Sequence, residues 1–262
     1  MPTDPPSRSA GVRERTRAAM TQEIVDTARR RLASDGAAAL SLRAVARELG
    51  MSSSAVYRYV PSRDDLLTTL IVEAYDSLGA AAERAEETVA RADIEGRFRA
   101  IARAVRRWAI AHEHEYALVY GSPVPGYRAP QATIPPATRV PRLLVQIIRD
   151  GLASGALRAG DRAVPEPALD SMAPIRAAFD EEGAAVPPDL VARGLMAWTY
   201  IFGAVSFDLF GHRHNVLLDE RAADHPFFEQ EVDYLVDMIG LGDTAMGTAT
   251  ATPDPIVRAG QA

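Results

Sequence analysis

A dense group of hydrogen-bonding side chains lies between residues 41 and 63 of this 262-residue chain. Its members carry hydroxyl or guanidinium groups, and they are Ser41, Arg43, Ser53, Ser54, Tyr57, Tyr59 and Arg63. Such groups bind phosphate oxygens, as do the backbone N–H groups at the start of a helix. A hairpin buried in a protein interior would carry aliphatic residues here. The residue types therefore favour a surface that binds a nucleic-acid backbone.

Two short helices joined by a tight turn must position these side chains. Apolar residues recur at helical spacing over Leu42–Leu49, and Gly50 supplies the positive φ at which that helix ends. Ser52 is a good cap for the second helix, and Pro61 prevents that helix from continuing. Ser62 then starts a third helix, with an acidic residue in capping-box spacing. This is the arrangement of a helix-turn-helix, which places one helix in the DNA major groove.

The alternative for the same pattern is a helical hairpin of a larger helical protein that reads no DNA. The charge distribution argues against that alternative. The whole chain has a net charge of −6, yet residues 8–63 hold 11 arginines against five acidic residues, a net charge of +6. Residues 64–262 have a net charge of −11. A basic end on an acidic body confines the electrostatic footprint to the helix-turn-helix at residues 41–60.

The segments Val45–Ser52 and Tyr57–Leu67 resemble the DNA-binding domain of the TetR family of bacterial repressors, and the resemblance covers roughly residues 18–75. Two positions depart from the family pattern. Val60 replaces the usual phenylalanine and Arg63 the more frequent lysine, and both replacements keep the physical character of the position. The resemblance implies phosphate contacts from Ser41, Arg43, Tyr57, Tyr59 and Arg63, and base-facing positions at Ser53 and Ser54.

The rest of the chain predicts an all-α protein with a larger C-terminal helical bundle domain. We expect a disordered arm at 1–12, the TetR-type helix-turn-helix domain at 13–75, an effector-binding and dimerisation domain at 76–242, and a disordered tail at 243–262. Helices are predicted near 18–35, 62–87, 94–112, 137–154 and 169–182, with a loop at 121–136 and a linker at 159–168. The N-terminal arginines up to Arg17 either reach into a minor groove or belong to a solvated tail, and the composition favours the tail.

Late in the chain, apolar residues repeat at alternating steps of three and four. One run comprises Leu195, Trp198, Phe202, Val205 and Leu209, and the other comprises Phe228, Val232 and Leu235. This spacing makes a narrow apolar seam suited to helix–helix packing, and an ordinary core is the alternative to an interface. Gly203 and Ser206 add a second, small-residue face. A helix that is apolar on two faces needs another partner, so we expect a homodimer through these two helices.

A looser resemblance covers the C-terminal part. Tyr116–Pro123 and Trp198–His212 are similar to one common C-terminal domain of TetR-family regulators, which implies a small-molecule effector and a dimer. Apolar walls with a few polar groups are typical of small-molecule sites. The aromatic residues away from the seam are therefore the candidate pocket residues, with core packing as the alternative for each. They are Trp108, Tyr116, Tyr120 and Phe179.

Several classes of function lack support in the sequence. There is no cysteine, and no phosphate-binding loop, nucleophile elbow or carboxylate pair indicates an enzyme. His112 and His114 lie two residues apart on a helix end and point to different sides, so we expect neither a metal site nor a cofactor. The N-terminal residues contain no apolar h-region, and no run of 18 apolar residues exists, which predicts a cytoplasmic protein without membrane contact.

The sequence thus predicts a ligand-responsive, dimeric repressor that binds a palindromic double-stranded DNA operator. The alternative is a helical small-molecule-binding or scaffolding protein that no longer reads DNA. Loss of the phosphate-contacting residues would indicate the alternative, and Tyr57, Tyr59 and Arg63 are all present.

Overall fold

The computed structural model describes residues 8–160, 163–181, 186–219, 221–222 and 224–242. Helices and connecting segments make up this part of the chain, and it contains no strand, which confirms the all-α prediction. The helices are α1 (Arg8–Ala39), α2 (Leu42–Glu48), α3 (Ser53–Val56), α4 (Arg63–Glu87), α5 (Ile94–Ala111), α6 (Glu113–Tyr120), α7 (Ile134–Ala137), α8 (Arg139–Ser154), α9 (Glu166–Ser171), α10 (Ala173–Glu181), α11 (Pro188–Leu209) and α12 (Pro226–Ile239). The predicted tail at 243–262 and residues 1–7 of the predicted arm lie outside the described residues.

The first three helices and the first half of α4 surround one apolar core, and we call this unit the reader. Ile24, Val45, Val56 and Leu66 are completely buried in it. The turn between α2 and α3 forms at Gly50, whose φ of 64° is unfavourable for residues with a side chain. The Ser52 hydroxyl accepts the Ala55 N–H and caps α3. The local capping and turn residues thus fix the geometry of the helix-turn-helix.

The remaining helices form the body around a second core. Helix α4 extends from the reader into the body, where its apolar face packs on α5. Helices α8, α11 and α12 close the bundle around α5, whose buried face contains Phe98, Ile101 and Val105. Arg139 of α8 fastens this bundle to α4 by hydrogen bonds of 2.9 Å to Asp76 Oδ1 and 2.5 Å to Glu83 Oε2.

Helix α6 contributes to both cores. Leu118 packs in the reader, while Tyr116 is completely buried in the body. At the same junction Arg29 of α1 binds Glu73 of α4 at 2.5 Å and lies 3.7 Å from Glu115 of α6. Burial of Glu73 raises the pKa of its carboxyl, even though Arg29 lowers it. Reader and body therefore meet at a packed, charged junction.

Three predicted boundaries are wrong. Residues 8–12, assigned to a disordered arm, belong to α1, so the helix predicted over 18–35 begins earlier than expected, while the non-helical backbone at Gly36, where φ is 75°, agrees with its predicted end. The predicted loop at 121–136 contains a 3₁₀ turn at Gln131–Thr133 and the start of α7, and the predicted linker at 159–168 contains the start of α9. Both short helices carry proline in their first turn, where no backbone N–H is required.

Helix α11 is the one described helix that is long and apolar enough to cross a membrane by length and composition. Such a helix also occurs in the cores of soluble proteins, and one face of α11 is buried by α5, α8 and α12 in this chain. Its opposite face carries further apolar side chains, which accounts for the overall hydropathy of the helix.

Candidate nucleic-acid interface

The polar side chains of α2 and α3 lie on one exposed side of the reader. Arg43 and Ser54 are exposed, Ser41 and Ser53 are half-buried, and 45% of Tyr57 is accessible to solvent. The Ser41 hydroxyl makes no capping hydrogen bond, so it remains available to a ligand. The structure therefore brings these predicted DNA-contacting residues together on a common surface.

Cations on this surface are not neutralised by the protein. Among the residues that the structure describes, Arg43, Arg47 and Arg58 have no acidic partner within ion-pair distance, and all three are exposed. Phosphate groups bind arginine strongly because charge-assisted and bidentate hydrogen bonds form. Arg47 and Arg58 were not among the predicted contacts, although their positions on α2 and directly after α3 could have indicated them. The arrangement is suited to an anionic backbone.

Tyr59 is half-buried beside α1. The guanidinium carbon of Arg17 lies 5.6 Å from the centroid of its ring, and Arg17 also donates a hydrogen bond of 2.9 Å to the carbonyl oxygen of Arg58. A cation over an aromatic ring is attracted by the ring quadrupole. Tyr59 therefore lies beside the N-terminal part of α1.

Arg63, a predicted phosphate contact, already makes hydrogen bonds within the reader, and its contact with phosphate stays a prediction. Its Nε donates to the Leu40 carbonyl at 2.9 Å, and one terminal nitrogen donates to the carbonyls of Ala37 and Ala38 at 3.0 and 3.2 Å. These carbonyls belong to the end of α1, where unpaired acceptors and the helix dipole attract a cation. Arg63 is thus a positioning residue that ties α4 to α1.

The aromatic residues predicted to line a pocket belong to the body core. Tyr116 is completely buried, and its hydroxyl donates to the Phe202 carbonyl at 2.8 Å, while burial raises the pKa of this phenol to about 12. The Trp108 indole donates to Ser77 Oγ at 2.9 Å. Tyr120 stacks on Phe202, and burial raises the pKa of its hydroxyl. Trp108 also lines an open pocket with Ser77, His112 and Glu115, whereas Tyr116 is enclosed by the core. The assignment of these aromatic residues to an effector pocket stays a prediction.

Phe179, the fourth predicted pocket residue, has its backbone in α10, and its side chain lies outside the described part of the structure. One apolar cavity lies between α8, α10 and α11 and has a volume of about 150 Å³. Its walls are almost entirely apolar. They are formed by Pro141, Leu144, Val145, Ile148, Ile175, Val191, Gly194, Leu195 and Trp198.

The predicted dimer seam needs correction. Six of its eight residues lie inside the monomer core, at 6% exposure or less, because α5 and α12 of the same chain cover them; these are Phe202, Val205, Leu209, Phe228, Val232 and Leu235. The other two, Leu195 and Trp198, are half-buried and line the cavity. The seam is therefore an intramolecular contact.

A second set of apolar side chains is exposed on the opposite sides of α11 and α12, and we call it the outer face. Between 39% and 64% of each side chain is accessible to solvent; the set comprises Met196, Tyr200, Phe207, Phe210, Phe227 and Tyr234. Gly203 lies between two of them, with open space where a Cβ would be. Sequence reasoning noted a second face at Gly203 but assigned the interface to the seam.

The described residues include no group of three or more histidine, cysteine, aspartate or glutamate side chains placed to hold a metal ion. His112, predicted to occupy a solvated helix end, stacks on Trp108 with ring centroids 4.8 Å apart.

Two protein-family models match the chain. The model described as bacterial regulatory proteins, tetR family, matches residues 24–70, which lie within the reader. The model described as tetracyclin repressor-like, C-terminal domain, matches residues 98–235 in the body. The two matches together cover both units of the fold.

Curated relatives and solved structures agree with these models. The chain is 43% identical over 202 residues to the HTH-type transcriptional regulator Rv1816 of Mycobacterium tuberculosis, covering 77% of this chain and 85% of that protein. It is 43% identical over 83 residues to the HTH-type transcriptional repressor LfrR of Mycolicibacterium smegmatis, covering 32% of this chain and 41% of that protein. The crystal structure of SCO4313, described as a regulatory protein, aligns with a TM-score of 0.68 at 31% identity, covering 86% and 98% of the two chains.

Proposed function

Because this chain belongs to the TetR family of bacterial regulatory proteins, we propose that it is a cytoplasmic, ligand-responsive repressor that binds a palindromic operator as a homodimer. The proposal depends on one observation, which is that the same chain carries two distinct exposed surfaces. One is the set of unneutralised arginines and hydroxyls on α2 and α3, and the other is the apolar outer face on α11 and α12. The relative LfrR is a transcriptional repressor by name, which supports repression as the output.

A dimer explains the outer face. Met196, Tyr200 and Phe207 follow one another at helical spacing, so they form a continuous stripe along α11. Contiguous exposed apolar surface of this kind marks an interaction site in a soluble protein. The open space above Gly203 lets a partner helix approach closely. A two-fold contact through α11 and α12 would bury the stripe of each copy against the other.

Charged groups hold the aromatic residues of the outer face in place. The Tyr200 hydroxyl donates to Glu231 Oε1 at 2.9 Å, and Glu231 is itself buried and bound by Arg213 at 2.6 Å. The Arg213 guanidinium also lies 5.9 Å from the centroid of the Phe227 ring. A surface that is fixed before binding loses less entropy when the partner arrives. These contacts support the outer face as the dimer interface.

The cavity between α8, α10 and α11 is the effector site that we propose. At about 150 Å³ it has the size of cavities that accept a benzene-sized molecule. Trp198 lines it, and among the described residues its indole Nε1–H is buried without a hydrogen-bond partner. A small aromatic or aliphatic molecule with one acceptor oxygen would fill the apolar space, and a rotation of the indole toward that oxygen would satisfy the buried donor.

The effector would shift the equilibrium between two conformations of the dimer, which differ in the distance between the two readers. Helix α11 lines the cavity and carries the outer face, while α4 and α6 connect the body to the reader. A ligand that binds more tightly to the conformation unable to bind DNA weakens operator affinity. The loss of affinity is at most the ratio of the ligand's affinities for the two conformations.

The cavity yields a prediction for a matched pair of probes. We expect acetophenone to bind about 2- to 10-fold more tightly than isopropylbenzene, because only the ketone accepts a hydrogen bond from Trp198. The measurement is quenching of Trp198 fluorescence in a Trp108→Phe background. Val145→Phe should abolish binding of both probes by filling the cavity, whereas Val216→Phe, on an exposed loop, should leave it unchanged. Equal affinity for both probes would contradict the role of the indole N–H.

The DNA-reading function is tested by selecting duplexes from a randomised library with the full-length protein. We expect two inverted half-sites about one helical turn apart, and an affinity that falls steeply with salt because phosphate contacts release counterions. Arg43→Gln should make the salt slope shallower for every duplex, whereas Ser54→Ala should change the duplex that is selected. Arg84→Gln, exposed at the far end of α4, is the matched control. Affinity that is indifferent to salt would overturn the proposal and favour a scaffolding role.

A further inference from the structure

Helix α1 begins well before the core of the reader. Residues 12–19 are all exposed, and from residue 12 onward the first fully buried residue of the helix is Ile24. This stretch also precedes residues 24–70, which match the family model of the DNA-binding domain. We call residues 12–19 the extension. A helical segment that buries no apolar face contributes little to folding, because most helical stability comes from tertiary packing.

The arginines at the two ends of α1 differ in whether they have acidic partners. Near its C-terminal end, Arg29, Arg30 and Arg31 all have carboxylate partners, from Asp26, Asp35, Glu48 and Glu73 among others. In the extension, neither Arg13 nor Arg15 has an acidic partner within ion-pair distance among the residues that the structure describes. The protein thus neutralises the cations far from the DNA-contacting surface and leaves those of the extension available.

Arg17 binds the extension to the proposed DNA-contacting surface around α3. It donates a hydrogen bond of 2.9 Å to the carbonyl oxygen of Arg58, which follows α3, and its guanidinium carbon lies 5.6 Å from the centroid of the Tyr59 ring. Arg13 and Arg17 are one helical turn apart, a rise of about 6 Å. Together with Glu14, Arg58 and Tyr59 they border a shallow open groove, whose three arginines outnumber its one carboxylate.

We propose that the extension is a second DNA-contacting surface, which binds backbone phosphates flanking the half-site read by α3. Arg13 and Arg17 supply the positive charge, and the anchor on Arg58 and Tyr59 places it beside the phosphates that Tyr57 and Tyr59 approach. Unpaired guanidinium groups and a phosphate backbone are complementary in charge and in hydrogen-bonding geometry. The contact positions the protein and carries no sequence information of its own. This inference rests on the proposed DNA-reading function.

The test compares the salt dependence of binding for two double variants of the full-length protein. The probe is the duplex that the wild-type protein selects from a randomised library. Arg13→Gln/Arg17→Gln removes the charges of the extension. Arg84→Gln/Arg142→Gln removes two exposed charges from the body and is the matched control. Each lost phosphate contact reduces the magnitude of the slope of log K against log salt by about 0.9, so a dimer carrying the first variant should lose about 2 to 4.

The expected loss is the same for duplexes whose flanking base pairs are A·T or G·C. A slope equal to that of the control overturns the inference while leaving the DNA-reading function intact. A loss that depends on the flanking base pairs also overturns it, because the extension would then read a groove and not the backbone. If the wild-type protein selects no duplex and its binding does not depend on salt, the proposed function itself fails.

Discussion

A Phe207→Glu variant is expected to be a folded monomer that no longer binds operator DNA with the affinity of the wild-type protein. Phe207 is 52% exposed in the outer face, so the change disturbs little within the chain. In a two-fold interface the same residue occurs twice, and truncating a central aromatic anchor costs about 2 kcal/mol or more. Two copies give about 4 kcal/mol, which is about a thousand-fold in the dimer Kd.

Sedimentation at micromolar concentration measures this effect directly. Ile134→Glu is the matched control, because Ile134 is 48% exposed on α7 and lies outside the outer face. Phe207→Leu should remain a dimer, since it keeps an apolar side chain. Circular dichroism must show that Phe207→Glu retains the wild-type helix content. A stable dimer of Phe207→Glu would exclude the outer face as the interface.

Replacing Arg97 by methionine should produce the largest loss of stability among the variants considered. Arg97 is 1% exposed; its Nε binds Glu86 Oε1 at 2.5 Å, and one terminal nitrogen binds Asp150 Oδ2 at 2.7 Å. Helices α4, α5 and α8 meet at this cluster. Removing the buried cation leaves Glu86 with only the exposed Arg91 at 3.4 Å. Breaking a buried pair in this way lowers the free energy of unfolding by about 3 to 5 kcal/mol.

Urea unfolding of Arg97→Met measures the loss, and Arg99→Met is the control two residues further along α5. Arg99 pairs with Glu95 and Asp233 near the surface, where such pairs contribute about 1 kcal/mol or less. If the two variants lose similar amounts of unfolding free energy, burial of the Arg97 ion pairs does not explain their contribution to stability.

The pH dependence gives a second measurement. Burial by itself raises the pKa of Asp150, but hydrogen bonds from Arg97 and Gln146 outweigh it and hold the pKa below its ordinary value of 3.8. A depressed carboxyl pKa contributes stability above the unfolded pKa, and that stability is lost as pH falls. The stability gap between wild type and Arg97→Met should therefore narrow as pH falls below about 4. A gap that widens on acidification would assign the loss to another cause.

The local geometry of the reader could be predicted from the sequence because short-range signals determine it. Ser52 and Ser62 cap α3 and α4 as predicted, and Gly50 adopts the positive φ that the turn requires. These effects depend on residues at most four positions apart. Family membership, confirmed by the comparisons, follows from the same segment.

The interface and the pocket could not be predicted in the same way, because periodicity reveals an apolar face without showing what covers it. Helix α11 has two such faces. The face containing Val205 is covered by α5 and α12 of the same chain, and the face containing Phe207 is exposed. Arg63 is a similar case, since a side chain suited to phosphate is equally suited to the carbonyls at the end of α1. Only the long-range arrangement decides between such partners.

Helix α6 belongs to both cores, and this limits how the reader can be exchanged between related proteins. Leu118 is 8% exposed within the reader core, and Val124 and Tyr127 pack against the same core from the following segment. A chimera that joins residues 1–75 to the body of another regulator would leave a gap in the reader core where α6 packs on α1 and α4. Exchange of binding specificity between relatives therefore requires the α6 segment to be transplanted with the reader, or its contact residues to be matched. The unit of modular exchange is thus discontinuous in sequence.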